Sequence, residues 1–128
     1  MLLNVQTSPG EFLDKLTILE IKSERIEDAA KLGNVRRELE LLRSTWAASP
    51  LAGRDVAALV AELKRVNESL GEIEDRIRAK ESGRSFDAEF VELARSVYRT
   101  NDRRAEIKRE INVALGSDLL EEKSYQRY

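Results

Sequence analysis

The chain has 128 residues, with 24 acidic and 22 basic side chains for a formal net charge of −2. It contains no cysteine and no histidine. This excludes disulfides, thiolate metal centres, cysteine nucleophiles, Ser-His-Asp hydrolysis, and zinc or haem sites built on histidine. The slightly negative charge argues against bulk attraction to nucleic acid or anionic lipid, and no apolar run approaches the roughly 18 residues of a membrane span.

Hydrophobic residues make up 41% and charged residues 36%, with only 2 prolines and 6 glycines. That profile predicts an all-α fold of long helices with charged outer faces, in one domain over residues 1–128. Neither a basic region nor an apolar leader core follows Met1-Leu2-Leu3, so the expected compartment is the cytoplasm.

Residues 1–7 read as a brief extended arm. Ser8-Pro9-Gly10-Glu11 then combines an N-cap serine, a proline at the first helical position and a glutamate that completes a capping box. The first helix is predicted from there to about Lys31, with Phe12, Leu16, Leu19, Ile26 and Ala30 on one stripe and Gly33 as its stop. Leu13, Ile18 and Ile21 widen the stripe. Asn34 would cap a short second helix along Val35, Leu39, Leu42 and Trp46. The stretch from Ser49 to Arg54 reads as a loop.

Asp55 would cap a third helix. Val56, Leu59, Leu63, Val66, Leu70, Ile73 and Ile77 alternate by three and four along it, for about 27 residues or roughly 40 Å. A turn at Ser82-Gly83-Arg84-Ser85 leads to a fourth helix, capped by Ser85 and running to about Leu115, with Gly116 as its end. The last twelve residues should dock as a short helix or ordered tail.

These elements predict an antiparallel bundle of about four helices around a long helical hairpin of the third and fourth. The short second helix would cover about half of what that hairpin presents. The remaining seam predicts a homodimer built on the hairpin, unless the first helix and the tail cover it.

Three segments carry a family resemblance. They are Gly10-Glu11-Phe12-Leu13-Asp14-Lys15-Leu16-Thr17-Ile18-Leu19-Glu20-Ile21-Lys22; Leu93-Ala94-Arg95-Ser96-Val97-Tyr98 with Asn101-Asp102 and Arg104-Ala105-Glu106-Ile107-Lys108-Arg109; and Gly116-Ser117-Asp118-Leu119-Leu120-Glu121-Glu122-Lys123-Ser124-Tyr125. Together they resemble a bacterial family catalogued as domain of unknown function 6165, over nearly the whole chain. The resemblance implies a bacterial cytoplasmic protein linked to cell-surface glycan biosynthesis, and it brings no catalytic residue. One departure is Gly71, where the family resemblance calls for a bulky side chain.

The fourth helix carries the main irregularity. Its face runs Phe90, Ala94, Val97, Asn101, Arg104, Lys108, Ile111, Leu115, apolar at both ends and polar in the middle. Buried charges need partners, and Asp14, Glu20 and Glu24 of the first helix are candidates. Residues 95–109 hold six basic side chains (Arg95, Arg99, Arg103, Arg104, Lys108, Arg109) against Asp102 and Glu106. Arginine forks suit phosphate or carboxylate. A site for a phosphorylated or carboxylate anion would draw on Asp14, Lys15, Glu20, Arg95, Tyr98, Asn101, Arg104 and Lys108, with Lys22 and Tyr125 nearby. The plainer reading is a polar layer that fixes helix register and partner choice.

Three further readings are weaker. Glu24 and Glu27 with Glu72 and Asp75 resemble the magnesium-binding pairs of MazG-type pyrophosphohydrolases, but ordinary helical ion pairs explain them better. A metal-free enzyme of the chorismate-mutase kind is an analogy only, since the basic spacing differs. Nucleic-acid binding lacks stacking platforms at 5% aromatic content. Trp46 is expected to anchor the second helix on the first or third, and Phe86 and Phe90 to seal one bundle end. The expectation is therefore a self-associating interaction or scaffold module with no metal and no cofactor. The alternative is an anion-binding protein, or a metal-independent enzyme, with its basic site on the fourth helix.

Overall fold

The computed structural model describes all 128 residues, in four helices without a strand. Helix α1 spans Pro9–Arg25 and starts as its capping signal requires: the Ser8 hydroxyl accepts the Glu11 N–H at 3.2 Å. The other half of the capping box is not made, because Glu11 reaches instead to Lys108 at 2.6 Å.

Helix α1 is shorter than its apolar stripe implies. It stops at Arg25, Ile26 is extended, and Asp28 caps α2 (Ala29–Ala48) by accepting the Lys31 N–H at 2.9 Å. Gly33 and Asn34 therefore lie inside α2 and are neither a stop nor a cap. Aspartate at a cap outweighs a glycine inside a helix, which costs only about 1 kcal/mol. The break lets α2 fold back antiparallel on α1, placing Leu39 against Leu16 and Leu19, and Trp46 on Phe12 with ring centroids 5.9 Å apart.

Helix α3 spans Ala57–Ser82 and α4 spans Ala88–Ala114. Asp55 accepts the Ala57 N–H at 3.2 Å from just outside α3, whose cap position is Val56. Asp87, not Ser85, caps α4: it accepts the Phe90 N–H at 3.0 Å, and Ser85 instead donates to Asp87. Gly116 ends α4 with φ +65°. Its N–H reaches the Val113 carbonyl and the Ser117 N–H reaches that of Asn112, the paired bonds of a Schellman ending.

Lys80 and the Phe90 N–H hold the Asp87 carboxyl down to about 2. A depressed folded pKa adds stability above the ordinary carboxylate range, and that stability is lost as pH falls through the folded value. Carboxyl-detected NMR should therefore show Asp87 titrating near pH 2, with Asp87→Asn removing this part of the acid sensitivity.

Helix α1 is the hub of the bundle: it packs against α2, α3 and α4, while α2 packs against α1 alone. The cover expected from α2 over the hairpin is thus supplied by α1. The main core joins Leu13 of α1 to Val56, Leu63, Ile107, Ile111 and Leu115, with Leu63, Ile107 and Ile111 fully buried. Beyond this core α1 follows the hairpin as far as Glu72, which Arg25 reaches at 3.6 Å, and the hairpin then runs on to its turn. Along this stretch Leu93 is buried, Leu70, Ile73 and Ile77 are half-buried, and Val91 is exposed. Phe86 and Phe90 meet edge to face at 5.2 Å, but Phe86 is 57% exposed and seals nothing. Residues 118–128 form no helix; they run back along α4.

Candidate functional site

Polar side chains replace apolar ones where α1 crosses α3 and α4. Asp14 lies one position beyond Leu13 on α1 and is 1% exposed. An uncompensated carboxylate there would cost several kcal/mol, so its partners decide whether α1 docks. Arg104 donates Nε to Asp14 Oδ1 at 2.9 Å, and its Nη2 to Asp14 Oδ2. Asn67 of α3 donates Nδ2 to Asp14 Oδ1 at 2.9 Å and to Thr17 Oγ1 at 3.1 Å. Thr17 itself donates to the Asp14 carbonyl at 2.8 Å. One carboxylate thereby ties three helices together through a bidentate arginine fork and an amide.

The layer continues one turn along α4. Lys108, with a side chain 10% exposed, holds Glu11 at 2.6 Å and Glu121 of the tail at 2.8 Å. Burial pulls its ammonium down, but the hydrogen bonds to Glu11 and Glu121 outweigh it and the pKa lies above the ordinary lysine value. Asp14 likewise pushes the Arg104 guanidinium up against the opposing effect of burial. Asn112, 2% exposed, accepts the Gly10 N–H at 2.7 Å. Here α1 and α4 touch backbone to backbone: a Cβ on Gly10 would lie 2.5 Å from the Lys108 carbonyl oxygen. Every buried side-chain nitrogen and oxygen has a partner.

Of the eight residues singled out from the sequence, Asp14, Arg104 and Lys108 join this layer. Asn101 lines a cleft of about 350 Å³ beside it, between α4 and the tail. The other four do not join the layer. Lys15 pairs with Glu38 of α2 at 3.4 Å, Glu20 with Lys64 of α3 at 3.6 Å, and Arg95 with Glu92 on its own helix at 3.3 Å. Tyr98 packs on Tyr128 of the tail at 4.6 Å. The partners not foreseen are Thr17, Asn67, Asn112, Glu11 and Glu121. Asn67 carried a readable signal, being a polar residue four positions after Leu63 and three before Leu70 on the α3 seam.

The basic excess of α4 is largely neutralised in three dimensions. Arg99 reaches Glu92 at 3.4 Å, Arg109 reaches Glu122 at 3.3 Å, and Arg103 pairs with Glu62 of α3 and with Glu106. Two of the four carboxylates considered for magnesium are engaged by cations: Glu24 by Lys64, and Glu72 by Arg25 at 3.6 Å. No group of three or more acidic side chains is arranged so that it could hold a metal ion.

Fold and layer together define a four-helix protein whose α1 is keyed onto a helical hairpin by a buried ionic network. The sequence matches the model of a family of unknown function (DUF6165) over residues 3–128, and the chain belongs to that family. No curated protein and no solved structure matches it. No helix is long and apolar enough to cross a membrane.

Proposed function

We propose that the chain is a self-associating helical module that works by protein–protein contact, and that its hairpin is the contact surface. The observation that carries this reading is the end of the α3–α4 hairpin. There Ile73 and Ile77 are half-buried and Phe86 and Val91 are exposed, past Glu72, the last α3 residue that an ion pair ties to α1. A two-helix seam left open on one side is an apolar stripe that association covers. A second copy supplies the same stripe, and two-fold pairing of identical hairpins closes both at once.

The closed ionic layer supports the same reading. With every buried polar group satisfied, it fits a device that fixes the register of α1 on the hairpin. The lack of cysteine is in keeping with a reducing, cytoplasmic setting.

Sedimentation equilibrium tests the proposal. The wild-type chain should sediment as a dimer at micromolar concentration. Ile73→Asp places a charge in the seam and should weaken the dimer at least roughly tenfold, with an unchanged helical circular-dichroism spectrum. A wild-type monomer at high micromolar concentration would rule the hairpin dimer out.

A further inference from the structure

The C-terminal segment covers α4 without being built into it. No main-chain hydrogen bond ties residues 118–128 to the helix; the last one is from the Ser117 N–H to Asn112. Leu119, Leu120 and Tyr125 remain exposed, so the segment gains little from apolar burial. Its links are side-chain contacts: Glu121 to Lys108, Glu122 to Arg109, Lys123 to Asp102 at 3.1 Å, and Tyr128 to Asp102 and Tyr98. Apart from the pair on the nearly buried Lys108, these are exposed ion pairs, individually feeble and screened by salt.

Two clefts flank the segment, of about 350 Å³ and about 850 Å³. Both are lined by Lys108, and also by Glu121, Glu122, Lys123 and Tyr125 of the segment itself. Lifting those side chains would merge the clefts into one trough along α4, from Asn112 past Lys108 to Tyr98. Its floor would hold Arg104, Lys108 and Arg109, with Asp102 and Glu106 toward the Tyr98 end, so the anion-accepting part is the stretch around Lys108 and Arg109.

We propose that this trough binds a small molecule carrying two neighbouring oxyanion groups, a diphosphate or a dicarboxylate, and that Glu121 and Glu122 are its internal mimic. The two adjacent carboxylates already make the pairs such a ligand would make, one on the nearly buried Lys108 and one on Arg109. Lys108 has two carboxylate partners, and it keeps Glu11 throughout, so the ligand takes only the place that Glu121 leaves. Asp14 does not oppose the ligand, because Arg104 and Asn67 occupy its oxygens. Competition from the tail sets the affinity, and the site stands whether or not the hairpin dimerises.

The test is calorimetric titration of the full chain with pyrophosphate and with succinate at low salt, for the wild type and for the double variant Glu121→Gln, Glu122→Gln. Removing the internal anions should tighten binding roughly threefold to tenfold. Arg109→Gln, on the exposed side of α4, should loosen it by a similar factor. Equal affinities in wild type and double variant would overturn the internal mimic. Absence of binding of either probe to both proteins would overturn the site itself.

Discussion

Asp14→Ala should lower the unfolding free energy by about 3–5 kcal/mol, the cost of removing one partner from a buried ion pair. The variant leaves the Asn67 amide facing a void where the carboxylate stood, and it leaves the Arg104 guanidinium, which reaches water only along the cleft beside α4, without its counterion. For a chain of this size that corresponds to a fall in Tm of roughly 10–20 °C, read by thermal circular dichroism at a fixed protomer concentration. A control separates charge from packing. Asp14→Leu combined with Arg104→Met replaces the pair with apolar groups of similar volume and should recover most of the loss. A single Asp14→Ala variant as stable as wild type would mean that α1 docks by its leucines alone.

Gly10→Ala should cost about 2–3 kcal/mol, through overpacking at a backbone contact. The new methyl would lie 2.5 Å from the Lys108 carbonyl oxygen and 2.9 Å from Asn112 Oδ1. The first of these is main chain inside a helix and cannot swing aside. The start of α1 must retreat, stretching the Gly10–Asn112 hydrogen bond and with it the Lys108–Glu11 pair. Gly33→Ala and Gly71→Ala should have the opposite sign, each stabilising by about 0.5–1 kcal/mol. Both positions are helical, and a Cβ at either meets nothing within 4 Å. Urea unfolding of the three variants checks the contrast.

Where local chemistry is decisive, the fold was legible in the sequence. Ser8-Pro9 begins α1, Gly116 ends α4 in the left-handed conformation, and the three-four spacing from Val56 to Ile77 gives α3. The break after Arg25 was not legible, because Ile26 and Ala30 continue the α1 stripe in phase. Only the folded-back α2 shows why Asp28 prevails as a cap. The cap of α4 was misread for a related reason: Ser85 and Asp87 are both good caps, and the aspartate has Lys80 beside it.

The candidate site was legible on one helix and illegible between helices. The polar interruption at Asn101, Arg104 and Lys108 marked the layer, and Asp14 was among the partners considered. Periodicity gives the face of one helix but not the angle at which another crosses it, so Lys15 and Glu20 could not be told apart from Asp14 in advance. In the structure they face α2 and the edge of α3. The tail was the least readable part. Its position rests on ion pairs about twenty residues distant in sequence, such as Lys123 to Asp102, and these leave no periodic trace.

A double-mutant cycle between Asp14 and Arg104, measured by urea unfolding with Asp14→Ala, Arg104→Met and the two combined, tests the keyed-layer account most directly. A buried bidentate pair that seats α1 on the hairpin should give a coupling energy of about 2–3 kcal/mol. A coupling below about 0.5 kcal/mol would show the two residues acting independently, and the ionic layer would then not be what holds α1 in place.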